Sequence, residues 1–157
     1  MVELKIPQVP PEMTHELAVT FLGTMSSTIL KSIVDKFGSK EAQKMIYPHL
    51  KEMGKQMAAM APGMGITGKD AIAIASVIHF SEKQLFKIKG EPIEVAPNRV
   101  VKEITRCPLQ SLSLDYCLAF QGIADGVIEK INPEYKWTLT KVIPKGDHVC
   151  QWIVEKK

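Results

Sequence analysis

Residues 106–117 read Arg-Cys-Pro-Leu-Gln-Ser-Leu-Ser-Leu-Asp-Tyr-Cys, and residues 146–150 read Gly-Asp-His-Val-Cys. These two segments contain all three cysteines of the chain, Cys107, Cys117 and Cys150. Hydrophobic periodicity predicts the first cysteine at the end of a strand, the second near the start of a helix and the third inside the last strand. If that helix covers the sheet, the three thiols face one cavity.

The regular elements follow from the apolar pattern on either side of these segments. Helical spacing predicts helices at about 12–37, 39–60, 70–80 and 111–131, and alternation predicts strands at 85–89, 93–95, 100–106, 137–143 and 147–154. The fold class is therefore α+β: a helical N-terminal half, then an antiparallel sheet made as hairpin, helix, hairpin, with the helix packed on one face. We expect one domain over 1–157, with a helical part at 1–68 and an α+β part at 69–157 that carries the cysteines.

Composition restricts the partners. With 157 residues, a net charge of +3 and no basic block, the chain is not expected to bind nucleic acid. No continuous apolar run of membrane-span length and no secretory leader is evident, so we expect a cytoplasmic protein that does not bind a membrane. A proline-containing N-terminal arm and a methionine-rich helix face favour a homodimer joined through the N-terminal helices. That methionine-rich face also favours a pocket for an apolar ligand over a metal site.

The spacing of the three cysteines leaves three interpretations open. Nine residues separate Cys107 from Cys117 and 32 separate Cys117 from Cys150, which are wider spacings than the C-x-x-C pairs of strong zinc sites. The thiols are then inert core groups, a nucleophilic thiolate, or ligands of a metal such as zinc or iron, and the cofactor is left unknown. A helix N-terminus lowers the pKa of a thiol and burial raises it, and the sequence does not decide between these effects at Cys117.

Several nearby side chains are candidates for a site built on these thiols. Histidine supplies a base, a carboxylate orients it, and arginine anchors an anionic substrate group. Asp147 has a structural interpretation as well, because it is placed to close the last hairpin turn. The catalytic candidates are Cys117, Cys150, His148 and Asp147, with Asp115 as a second orienting carboxylate. The substrate-binding candidates are Arg106, His79 and Tyr116, and the metal candidates are Cys107, Cys117 and Cys150.

Four short motifs carry a resemblance to a known family. They are Cys107-Pro108, Tyr116-Cys117, Asn132-Pro133 and Gly146-Asp147-x-x-Cys150. Together they resemble the L-2-amino-thiazoline-4-carboxylic acid hydrolase-like family, which is in turn similar to 4-vinyl-reductase-type small-ligand domains. The resemblance covers about residues 70–155 and implies a cytoplasmic α+β protein that opens the ring of a 2-aminothiazoline carboxylate by hydrolysis. The site positions it implies are Cys107, Cys117, Asp147 and Cys150.

Two functions are therefore expected. The first is a hydrolase for a small cyclic C–N or C–S substrate, working through a cysteine-centred site. The alternative is a non-catalytic small-molecule or metal-binding module of the 4-vinyl-reductase type, in which helices and sheet enclose an apolar pocket for a hydrocarbon-like ligand or a tetrapyrrole.

Overall fold

A computed structural model of the protein describes residues 8–110 and 114–157, and the side chain of Tyr116 lies outside the description. The helices are α1 (Pro11–Phe37), α2 (Ser39–Met60), α3 (Ala71–Phe80), α4 (Leu114–Ala119) and α5 (Gln121–Ile131). The strands are β1 (Pro92–Ala96), β2 (Arg99–Ile104), β3 (Tyr135–Lys141) and β4 (Cys150–Lys156). The α+β prediction is confirmed.

The four strands form one antiparallel sheet in the order β1-β2-β4-β3. Both predicted hairpins are present, and β2 and β4 pair at the centre, where Ile104 lies opposite Cys150 and Lys102 lies opposite Trp152. Because side chains alternate along a strand, these four residues point to the same face of the sheet. That face packs against α3 and α5.

The helical layer is held by a very close approach of α2 to α5. A Cβ atom built on Gly54 would lie 2.0 Å from the carbonyl oxygen of Ile123, and one built on Gly126 would lie 2.0 Å from that of Lys51. Only glycine lets the two backbones approach this closely. The ion pair between Lys55 and Glu129 joins the same two helices at the surface, at 2.7 Å.

Helix α1 leaves most of its apolar side chains in solvent. Phe21 is 68% exposed and Leu17 is 59% exposed. By length and composition α1 is able to cross a membrane, with a mean hydropathy of 1.5 in its most apolar window and 11% of that window buried. Signal sequences and core helices of soluble proteins share this length and composition, so the expected lack of a membrane partner stays a prediction.

Three predicted elements differ from those observed. The helix expected at 111–131 is two helices that meet at Phe120. The strand expected at 85–89 is absent from the described chain. A π-helical turn, Ser81–Leu85, extends α3 instead, and within 85–89 only Lys89 forms a β-bridge, with Arg106. The last strand begins at Cys150, three residues later than expected.

Candidate functional site

A cavity of about 160 Å³ lies between the sheet and the helices that cover it, and we call it the inner cavity. Cys107 reaches it from the segment after β2, Cys117 from α4 and Cys150 from the first residue of β4. The three thiols therefore line one cavity, as the sequence led us to expect. The rest of the wall is mostly aliphatic and aromatic, and it includes Trp137 and Trp152, the only two tryptophans of the chain.

All three thiols lie in an environment that favours the neutral form. Burial raises the pKa of Cys107 and of Cys117 to about 11, and it also raises the pKa of Cys150. Backbone N–H groups soften the effect at two positions: Leu109 donates to Cys107 Sγ at 3.4 Å, and Ile143 donates to Cys150 Sγ at 3.2 Å. The thiols are consequently protonated at neutral pH, and no thiolate is preformed on the cavity wall.

A buried carboxylate provides the main polar group of the wall. Glu82 lines the inner cavity and accepts hydrogen bonds from Lys102 Nζ at 2.6 Å and from Trp152 Nε1 at 2.9 Å. Burial raises the pKa of Glu82, and the charge and hydrogen bond of Lys102 oppose that rise. Each carboxylate oxygen has a second lone pair, so Glu82 retains the capacity to accept a hydrogen bond from a ligand.

The Glu82–Lys102 pair was not predicted from the sequence. A signal for Lys102 was present, because alternation places it on the same buried face as Val100 and Ile104. A lysine on an apolar face is expected to pair with a buried acidic side chain. No local pattern indicates Glu82 as that side chain, because its partners are 20 and 70 residues away in the sequence.

An indole N–H supplies a buried donor in the same wall. Trp137 Nε1 is buried and has no hydrogen-bond partner among the described residues. An indole nitrogen only donates, and a buried donor without a partner is unfavourable. The described lining of the inner cavity therefore includes an indole donor without a partner, at Trp137, and a carboxylate acceptor, at Glu82.

Five of the predicted site residues lie outside the described lining of the inner cavity: Asp147, His148, Arg106, His79 and Asp115. Asp147 accepts a hydrogen bond from the backbone N–H of Val142 at 2.7 Å, which is the hairpin-closing contact. His148 is exposed and precedes β4, so the alternation that would align it with Cys150 does not reach it. Arg106 is exposed. Their catalytic and substrate-binding roles stay predictions.

His79 lies in the last turn of α3 with its Nδ1 buried and unpaired among the described residues. Burial lowers its pKa, and the charge of Lys102 lowers it further. Asp115 lies in the first turn of α4 and is half-buried. The prediction for the Tyr116 side chain falls outside the described residues.

The described ranges, 8–110 and 114–157, contain no group of three or more His, Cys, Asp or Glu side chains that could hold a metal ion. The three thiols share a cavity, but they do not form a ligand set there. The role of Cys107, Cys117 and Cys150 as metal ligands stays a prediction.

The family model described as L-2-amino-thiazoline-4-carboxylic acid hydrolase matches residues 17–154. The chain belongs to this family. The match extends the resemblance from the C-terminal half to nearly the whole chain. No curated protein matches this chain.

Solved structures with the same fold are distant in sequence. A trafficking protein particle complex subunit 3 from Naegleria fowleri, covalently bound to palmitic acid, is 14% identical with a TM-score of 0.62, over 93% of this chain and 96% of that one. The phenol-responsive sensory domain of the transcription activator PoxR, with phenol, is 15% identical with a TM-score of 0.64, over 88% and 74%. An H-NOX domain from Shewanella oneidensis in the Fe(II)CO state is 12% identical with a TM-score of 0.53, over 83% and 73%. At these identities the likeness shows the fold alone.

Proposed function

We propose that this chain is a small-molecule-binding domain whose inner cavity takes a single-ring, largely apolar ligand with one polar group. The observation that carries the proposal is a cavity of about 160 Å³ with an almost wholly apolar wall. An apolar protein cavity of about 150 Å³ is known to bind benzene. The inner cavity is therefore the right size for one ring and too small for an extended molecule.

The polar groups of the wall define the ligand further. A ligand hydroxyl is able to donate to Glu82 and to accept from Trp137, whose indole N–H has no other partner among the described residues. A ligand carboxylate is disfavoured, because no Lys or Arg is among the described residues that line the cavity and Lys102 is already paired with Glu82. A neutral phenol-like molecule satisfies these conditions.

Two proteins of the same fold support a ligand of this kind. The PoxR sensory domain is bound to phenol, and the Naegleria fowleri trafficking subunit carries palmitic acid. Both ligands are mainly apolar. A small-molecule cavity is therefore in keeping with other proteins of this fold, and the volume of the inner cavity fits the smaller of these two ligands.

The test uses phenol as the probe and the fluorescence of Trp137 and Trp152 as the signal. Both tryptophans line the inner cavity, so a bound ring changes their emission. Cys117→Phe fills the cavity and is expected to weaken phenol binding by at least about tenfold. The matched variant Cys117→Ala removes the thiol and keeps the space, so its affinity is expected to stay within about threefold of the wild type.

Two results would contradict the binding proposal. One is a wild-type protein whose tryptophan emission does not respond to phenol or to other single-ring compounds. The other is equal phenol affinity in Cys117→Phe and the wild type, because a ring in the cavity cannot share the space of a phenylalanine side chain.

Hydrolysis of a 2-aminothiazoline carboxylate is the second candidate. Family membership favours it, whereas the described cavity wall offers the substrate carboxylate no unpaired cation. Water adds across the C=N bond at the ring carbon that carries the sulfur and two nitrogens, with its oxygen going to that carbon and one proton to the nitrogen. The ring C–S or C–N bond then breaks as the carbon–oxygen bond becomes C=O, and the second proton passes to the leaving sulfur or nitrogen. Glu82, with its raised pKa, is the carboxyl group that the described cavity wall offers for proton transfer. A cysteine nucleophile at 117 or 150 would need such a base, since both thiols are protonated at neutral pH.

A ring-opening assay with 2-aminothiazoline-4-carboxylate tests this candidate separately. If a thiol is the nucleophile, Cys117→Ala or Cys150→Ala lowers kcat/KM by at least about a hundredfold. Unchanged turnover in both variants removes the thiol mechanism. A wild-type protein that binds phenol and has no ring-opening activity removes the hydrolase and leaves the binding proposal standing.

A further inference from the structure

A second, larger cavity lies beneath α1. It has a volume of about 560 Å³, more than three times that of the inner cavity, and we call it the outer cavity. Helix α1 forms one wall with residues that include Leu22, Ser26 and Ile29, and α2 forms another with residues that include Leu50 and Met53. The described lining contains no charged side chain.

The polar atoms of the outer cavity are already satisfied. Ser26 is the one residue of the described lining with a polar side chain, and its hydroxyl donates to the carbonyl of Leu22 at 2.7 Å. An occupant therefore finds no free polar side chain there among the described residues. The outer cavity is suited to hydrocarbon, and its volume lies within the range of about 300–1,000 Å³ that ligand pockets occupy.

The two cavities share part of their wall. Phe86, Leu109 and Phe120 line both of them. The rings of Phe86 and Phe120 meet edge to face, with centroids 6.1 Å apart and an interplanar angle of 83°. An aromatic pair therefore stands between the inner and the outer cavity. A ligand that spans both cavities requires at least one of these two rings to change its rotamer.

We infer that the two cavities form one two-part site, in which the inner cavity holds a ring and the outer cavity holds an alkyl tail attached to it. The inference rests on the proposed function, because the ring is placed by the inner cavity. It names the ligand class as a neutral phenol-like ring with an unbranched hydrocarbon tail. Phe86 and Phe120 then determine which ligands extend their tails beyond the inner cavity.

The test compares phenol with 4-hexylphenol as probes on the full chain, by calorimetry. A methylene that leaves water for an apolar site raises affinity by about fourfold, so 4-hexylphenol is expected to bind at least about tenfold more tightly than phenol. Phenol is expected to displace 4-hexylphenol competitively, because both rings occupy the inner cavity.

Two matched serines of α1 isolate the contribution of the outer cavity. Ser26 and Ser32 are both exposed, and each donates its hydroxyl to the carbonyl four residues earlier, but only Ser26 lines the outer cavity. Ser26→Phe is expected to reduce 4-hexylphenol affinity at least about tenfold and to leave phenol affinity within about twofold. Ser32→Phe is expected to change neither, and it controls for adding an aromatic side chain to an exposed helix.

The outcomes separate this inference from the proposed function. If phenol binds in the inner cavity but 4-hexylphenol binds no more tightly, the tail has no site and the two-part arrangement is overturned. Equal loss of 4-hexylphenol affinity in Ser26→Phe and Ser32→Phe also overturns it. If neither probe binds the wild-type protein, the proposed function fails and this inference fails with it.

Discussion

The thiols of the inner cavity should be slow to react with an alkylating reagent, and their pH dependence should show why. Burial raises the pKa of Cys107 and Cys117 to about 11, above the ordinary value of 9.0. At a pH below both values, each thiol then carries about a hundredfold less thiolate than an unburied cysteine. The alkylation rate of each cysteine is measured as a function of pH, in the native protein and in the same chain unfolded in denaturant.

The expected rate follows from two opposing effects. The thiolate fraction falls about a hundredfold, while a thiolate of higher pKa is more nucleophilic by about six- to tenfold for a Brønsted coefficient of about 0.4–0.5. The net prediction is that Cys107 and Cys117 react with iodoacetamide at least about tenfold more slowly at neutral pH in the native protein than in the unfolded chain. Steric protection adds to this factor but does not move the pH profile.

The assay is timed alkylation followed by peptide mass spectrometry, from about pH 7 to about pH 10. In the native protein the alkylation rates at Cys107 and Cys117 should rise throughout that pH range, whereas the rates in the unfolded chain should level off above about pH 9. The same raised pKa values make the folded state hold more protons, so the free energy of unfolding should fall as pH rises from 9.0 toward about 11. Native rates as fast as the unfolded rates at neutral pH would refute the reasoning and would favour a nucleophilic thiolate.

Three further predictions concern the packing and the site. Gly126→Ala places a Cβ 2.0 Å from a backbone oxygen of α2 and should lower the free energy of unfolding by about 3 kcal/mol, measured as a fall in Tm of roughly 10 °C. The control Gly63→Ala has open space around the new Cβ and should lower it by less than about 1 kcal/mol. Lys102→Met leaves the Glu82 carboxylate buried without its cation and should cost about 3–5 kcal/mol in urea unfolding; adding Glu82→Gln should recover most of that loss. Asp147→Ala removes a hairpin hydrogen bond and should lower the free energy of unfolding by about 1 kcal/mol. Phenol affinity should stay within about twofold of the wild type. A large loss of affinity or turnover would instead support the predicted site role of Asp147.

The helices were predictable because their ends carry local signals. Pro11 starts α1, and Gly38, with φ of 81°, ends it. Asp70 caps α3 by accepting a hydrogen bond from the N–H of Ala73 at 2.9 Å. Such signals act within a few residues, and sequence shows them directly.

The arrangement of the sheet was predictable only in part. Both hairpins follow from local turns, but the central pairing of β2 with β4 joins strands that are far apart in the chain, and alternation does not determine which strands become neighbours. The π-helical turn after α3 was missed for the same reason. Its Glu82 is fixed by Lys102 and Trp152, which are distant in sequence, so no local pattern indicates it.

The positions of the thiols were predictable where these residues lie on regular elements. Cys117 and Cys150 belong to a helix and a strand, and periodicity gave their faces. His148 was aligned with Cys150 by alternation, but the strand begins only at Cys150 because the turn residues before it do not pair. Side chains in turns follow the turn geometry, which the apolar pattern does not encode.

A crystal structure of the protein with 4-bromophenol would show whether the inner cavity binds a single-ring ligand, because the anomalous signal of bromine locates the ring. We expect a bromine peak inside the wall formed by Cys117, Cys150 and Trp152, with the ligand hydroxyl within hydrogen-bond distance of Glu82 or Trp137. Bromine found only at surface positions, with the inner cavity empty at saturating ligand, would contradict this expectation.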